Sequence, residues 1–116
     1  MTQGQIEVEI DVLSGRPNPH WWLTAAQAQE VAATLQQQRL EPRAAPPSRL
    51  GYRGFVLYQV SAVGQRRPWL RVGLGAITDL TQTPPRSYHD RITLEKRLGD
   101  WAKGAGFADL LAQLKQ

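Results

Sequence analysis

The strict alternation from Gln5 to Leu13 sets a problem that the rest of the chain must solve. Ile6, Val8, Ile10 and Val12 fall on one side of an extended backbone, and Glu7, Glu9 and Asp11 fall on the other. A side-chain period of two over this length reads as a strand with one buried face, and that face demands a covering layer. Thr24-Ala-Ala-Gln27 has capping-box spacing, in which a hydroxyl and a carboxamide satisfy orphan amides of the first turn, so a helix is predicted from there to Gln37. Ala28, Val31, Ala32 and Leu35 form its apolar stripe.

After Gly51-Tyr-Arg-Gly54, the run Phe55 to Val60 is β-prone and apolar on both faces, as in a central strand. Ser61 to Pro68 reads as a turn, and Trp69 to Ile77 as the returning strand of an antiparallel hairpin. Gly73 and Gly75 share a face of that strand, which predicts a bulge, a bend or the close approach of another group, such as a Trp ring laid across them. The Pro-bearing stretches from Arg39 to Leu50 and from Thr78 to Asp90 carry no hydrophobic period and read as loops. Asp90 is the expected N-cap of a helix reaching Lys103, with Leu94, Leu98, Trp101, Ala102 and Ala105 at helical spacing. Gly104 and Gly106 end it, and Phe107, Leu110, Leu111 and Leu114 mark a short C-terminal helix. The order β-α-β-β-α-α describes one α+β domain over 1–116, a small two-layer sandwich whose antiparallel sheet is covered on one face by helices.

A chain of 116 residues can remove roughly 65% of its unfolded surface from water without a metal or disulfide staple. Cysteine is absent, which excludes disulfides, thiolate metal sites and a cysteine nucleophile. The opening Met-Thr-Gln-Gly-Gln lacks a basic segment followed by an apolar run, so the expectation is a cytoplasmic protein without a secretory signal. No apolar stretch approaches the ~20 residues that span a bilayer, so no membrane partner is expected.

Catalytic signatures are thin. Ser87-Tyr-His-Asp90 gathers a hydroxyl, a phenol, an imidazole and a carboxylate, but triads are assembled from separate elements, and Asp90 is better used as a cap. His20 and His89 occur in no metal-binding spacing, and Gly73-Leu-Gly75 is only a fragment of a phosphate loop. No catalytic residue, metal ligand or cofactor is therefore assigned.

Charge and aromatic placement are more informative. The formal charge is +4, and the basic side chains are mostly arginine: Arg39, Arg43, Arg49, Arg53, Arg66, Arg67 and Arg71 face the single acid Glu41 in that stretch. Arginine's planar fork suits carboxylate, phosphate and aromatic stacking, although charge runs also serve simply as solvated surface. Ser14-Gly-Arg-Pro-Asn-Pro-His-Trp-Trp-Leu23 packs prolines, an Arg, an Asn, a His and two Trp between strand and helix, so this loop has a shape that matters. Its plain structural reading is a clamp between the first strand and the helix.

With Leu50-Gly-Tyr-Arg-Gly-Phe55 and with Tyr88-His-Asp-Arg and Leu94-Glu95, that loop resembles a group of small uncharacterised microbial proteins. They share an SGRPNPxWxL loop, a GYRGF strand start and a D-x-x-x-LE helix start. The resemblance covers most of the chain and implies a common fold; it carries no activity and no catalytic residue.

The leading functional reading is a non-catalytic binding domain for a small anionic ligand or a protein partner. Arg16, Asn18, His20, Trp21, Tyr52 and Arg53 are its candidate site, provided that both loops meet at one end of the sheet. A nucleic-acid-binding module ranks second, using Arg66, Arg67 and Arg71 beside Tyr58 on the hairpin. A small hydrolase or lyase ranks third.

Overall fold

The computed structural model describes residues 5–13, 18–37, 39–47 and 51–114. Strands β1 (Gln5–Leu13) and β2 (His20–Trp22) precede helix α1 (Ala25–Gln37). Strands β3 (Pro42–Arg43), β4 (Gly51–Val60), β5 (Arg66–Gly73), β6 (Ala76–Asp79) and β7 (Arg86–His89) follow. Helix α2 (Leu94–Ala102) is followed by a kinked stretch at Lys103–Phe107 and then by α3 (Ala108–Leu114). The fold is α+β, and its strands pair antiparallel in one open seven-stranded sheet of order β2-β1-β4-β5-β6-β7-β3.

This sheet holds more strands than the order β-α-β-β-α-α provides. The run from Trp69 to Ile77 is two strands, because Leu74 (φ 55) and Gly75 (φ 78) turn the chain between β5 and β6. Positive φ at both turn residues matches the twist of a tight hairpin, but leucine there gives no Asn-Gly or Asp-Gly signature. Arg66 to Pro68 belong to β5 and not to the preceding turn. That turn closes earlier, where Ser61 N donates to Gln65 O and Gly64 N to Ser61 O, both at 2.9 Å. The stretches read as loops yield β2, β3 and β7, of three, two and four residues, each too short to display a period.

The alternation of β1 is realised. Val8 and Ile10 are fully buried in a cluster with Phe55, Leu57, Leu70, Val72 and Ile77, and this cluster includes Val31 of α1, Leu94, Leu98 and Ala102 of α2, and Leu111 of α3. The capping box forms as predicted: Thr24 N donates to Gln27 Oε1 at 3.0 Å, and Gln27 N to Thr24 Oγ1 at 3.1 Å. Asp90 caps α2 from a distance, its carboxylate accepting Leu94 N at 2.9 Å and Glu95 N at 3.0 Å, so the helix begins at Leu94. Gly106, at φ 103, breaks the helical path before α3. Among the described residues, no helix is long and apolar enough to cross a membrane.

Two irregularities in the pairing of β4 decide which side chains share a face. Ile10 opposes Phe55 and Val12 opposes Tyr52, so Arg53 and Gly54 together oppose the single residue Asp11. The extra residue resets the alternation: Tyr52 joins Phe55 on the apolar face, ring centroids 6.1 Å apart, while Arg53 lies beside Asp11. Gly54 adopts φ 103, and a Cβ there would lie 2.1 Å from Val72 O; a Cβ on Gly73 would lie 2.2 Å from Arg53 O. The close approach predicted at Gly73 is therefore made by the β4 backbone and not by a Trp ring, and Gly75 sits in the turn. On the β5 side, Leu57 opposes Leu70 and Tyr58 opposes Pro68, leaving Trp69 as the extra residue.

Candidate functional site

The face of β1 opposite the core carries Glu7, Glu9 and Asp11, and arginines from β4 and β5 meet them. Arg66 donates from Nε to Glu7 Oε1 at 2.6 Å and from Nη2 to Glu9 Oε1 at 3.3 Å, and its guanidinium carbon lies 3.4 Å from the Tyr58 ring centroid. His20 Nδ1 is 3.2 Å from Glu7 Oε2. At the far end Asp11, only 3% exposed, serves two cations: Arg53 donates from Nη2 to Oδ1 at 3.0 Å, and Arg71 donates from Nη1 to Oδ2. A carboxylate this buried needs such partners, because an unpaired charge away from water is costly.

The sheet divides the residues grouped in the sequence. Asn18, His20 and Arg53 lie on the charged face. Trp21 points the other way and is buried against Phe55 and Phe107, with ring centroids 6.0 and 5.7 Å away. Tyr52 is also on the apolar face, donating to Glu95 Oε2 at 2.8 Å. Arg16 lies outside the described residues. The described members of that set thus form no single cleft, since alternation in β2 separates His20 from Trp21 and the bulge separates Tyr52 from Arg53. Asn18 has a clamping role: its Oδ1 accepts Val12 N at 3.0 Å, its Nδ2 donates to Glu9 Oε2 at 3.2 Å, and Ile10 N donates to Pro19 O at 2.8 Å. Arg66 and Arg71 are held by different carboxylates, while Arg67 opposes Gln59 and is exposed, with no ion pair among the described residues.

Burial first, then the hydrogen bond and the charge of Glu95, push the Tyr52 phenol far above its ordinary value of 10.0. The unfolded chain therefore releases this proton first, so stability from Tyr52 is complete below pH 10.0 and declines as pH rises towards the folded value. Tyr52→Phe is expected to cost about 1 kcal/mol at neutral pH and to flatten the stability loss above pH 10.0. Denaturant titrations at several alkaline pH values check this; equally steep losses in both proteins count against it.

The concave part of the charged face is a cavity of about 310 Å³ where Arg53, Arg71, Gly73 and Thr78 of the sheet meet Pro46, Pro47 and Pro85. Thr78 Oγ1 and Ser87 Oγ are hydrogen-bonded at 2.8 Å beneath this region. No acidic side chain lines the cavity among the described residues, and every Asp and Glu of the chain is described. Asp11 therefore offsets one of two guanidinium charges, leaving a surplus of one at the cavity wall. Arg53 and Arg71 are both candidate site residues in the sequence, but they belong there to different sites. The proline walls are marked in the sequence only by two Pro-Pro dipeptides, Pro46-Pro47 and Pro84-Pro85, in segments without a hydrophobic period.

Among the described residues, no group of three or more His, Asp or Glu side chains is placed to hold a metal ion. Comparison of the chain with protein-family models, with curated proteins and with solved structures gives no match.

Proposed function

We propose that this chain is a two-layer α+β sandwich that binds a small anionic ligand, a monocarboxylate with an apolar body, in the cavity walled by Arg53, Arg71 and the prolines. The observation that carries this reading is the sharing of one buried carboxylate by two guanidiniums at the edge of a concave, mainly apolar pocket. An entering carboxylate meets a local charge surplus of one, which favours a monoanion, and arginine's fork suits its planar head. The walls formed by the prolines with Leu74 and Leu80 suit an apolar body, as small-molecule pockets combine an apolar lining with few polar groups. Concavity favours a small ligand over a protein partner. A nucleic acid fits less well, because Glu7, Glu9 and Asp11 alternate with the arginines and a polyanion would meet three carboxylates.

Calorimetry with benzoate tests this. Saturable binding is expected, weakened at least about tenfold by Arg71→Gln and hardly altered by Arg66→Gln. Absence of binding, or equal sensitivity to both substitutions, would remove the reading.

A further inference from the structure

On the apolar side of the sheet, away from the arginine cavity, a second cavity of about 320 Å³ lies between the C-terminal half of α1 and strands β5 to β7. Leu35, Leu40, Trp69, Ile77 and Tyr88 line it, together with Asp79. Asp79 Oδ1 accepts Thr81 N at 2.9 Å, and Oδ2 accepts Gln82 Nε2 at 2.8 Å; the same Gln82 nitrogen is 3.4 Å from the Tyr88 hydroxyl. These contacts fix the carboxylate beside the aromatic wall. Burial alone would raise its pKa, but the hydrogen bonds from Gln82 and Thr81 outweigh burial and hold it below its ordinary value. Its cross-strand neighbour Arg86 forms no ion pair with it, nor does any other cation among the described residues.

A chain with 14 basic and 10 acidic side chains has ample cations to neutralise this group. Instead an anionic wall with no cationic partner among the described residues faces a pocket that also contains an indole and a phenol. Aromatic faces attract cations through the ring quadrupole, most strongly when the cation is poorly hydrated, and a methylated ammonium also suits aliphatic walls. We propose that this second cavity binds a small organic cation of the quaternary-ammonium class, with Asp79 supplying the counter-charge and Trp69 and Tyr88 the aromatic contacts.

Choline is the probe, followed through the Trp69 indole N–H resonance at constant ionic strength, beside the neutral analogue in which tert-butyl replaces trimethylammonium. The expected result is a saturable Trp69 shift with choline, with affinity at least about tenfold lower for the neutral analogue and for Asp79→Asn. No shift, equal binding of the neutral analogue, or undiminished binding by Asp79→Asn would overturn the proposal. Because Asp79 also organises its own turn, Tyr88→Leu gives a second reading that leaves the turn bonds to Thr81 in place. Calorimetry should then show weakened choline binding in a folded protein, and unchanged affinity again overturns the proposal.

Discussion

Gly54→Ala is expected to be the most damaging single-methyl change in this chain, costing on the order of 3–5 kcal/mol and leaving little folded protein at 37 °C. Two separate effects combine. At φ 103 a side chain is strained whatever the space available, and the added Cβ would also lie 2.1 Å from Val72 O and 2.6 Å from Gly73 Cα. Those atoms are backbone of the adjacent strand, so no rotamer change relieves the overlap. Gly73→Ala should be similarly severe, with its Cβ 2.2 Å from Arg53 O. Gly104→Ala provides the contrast: nothing lies within 4 Å of its Cβ position, so a change below about 0.5 kcal/mol is expected. Urea denaturation of the three variants checks the ranking. A stable Gly54→Ala protein would mean that the paired backbones of β4 and β5 do not approach this closely at Gly54 and Gly73.

Asp11→Asn has the second largest expected effect, and it separates stability from binding. Asp11 is 3% exposed and its carboxylate holds both Arg53 and Arg71, so its neutralisation leaves two guanidiniums without their counter-charge. Breaking a fully buried pair costs about 3–5 kcal/mol; the Arg71 side chain is 39% exposed and water screens it, which lowers the expectation to about 2–3 kcal/mol. The same change raises the cavity's positive surplus from one to two. Benzoate should therefore bind the variant more tightly than the parent, and should raise its melting temperature further, since a ligand that binds only the folded state stabilises by mass action. Thermal melts across a benzoate series measure both effects. Lower stability together with weaker benzoate binding would show that Asp11 orders the site and does not simply oppose the ligand's charge.

The parts of this molecule legible in the sequence were those written in long periods. The alternation of β1 and the stripe of α2 each span enough residues for burial on one face to leave its mark, and the capping box at Thr24 and Gln27 is legible through its paired polar side chains. Strands β2, β3 and β7 were hidden because two to four residues cannot display a period, and because a proline precedes β2 and β7 and begins β3. The candidate site was less legible for a sharper reason. Its composition depends on the bulge that turns Arg53 towards Asp11 and Tyr52 away, and a one-residue change of parity leaves no mark in hydropathy. Gly54 was the only local sign, and it is equally expected of an ordinary strand start. The grouping of Arg66 with Arg71 followed chain proximity, whereas the acids of β1 divide them: Glu7 and Glu9 hold the first, and Asp11 holds the second.

The most direct measurement of the proposed anion site is the arginine side-chain N–H spectrum during a benzoate titration. Arg53 and Arg71 should shift together and saturate with one affinity, while Arg66, held by Glu7 and Glu9 against Tyr58, and the exposed Arg67 remain in place. Shifts confined to Arg66 and Arg67, or spread equally over all the arginines without saturation, would contradict a bound monoanion in this cavity.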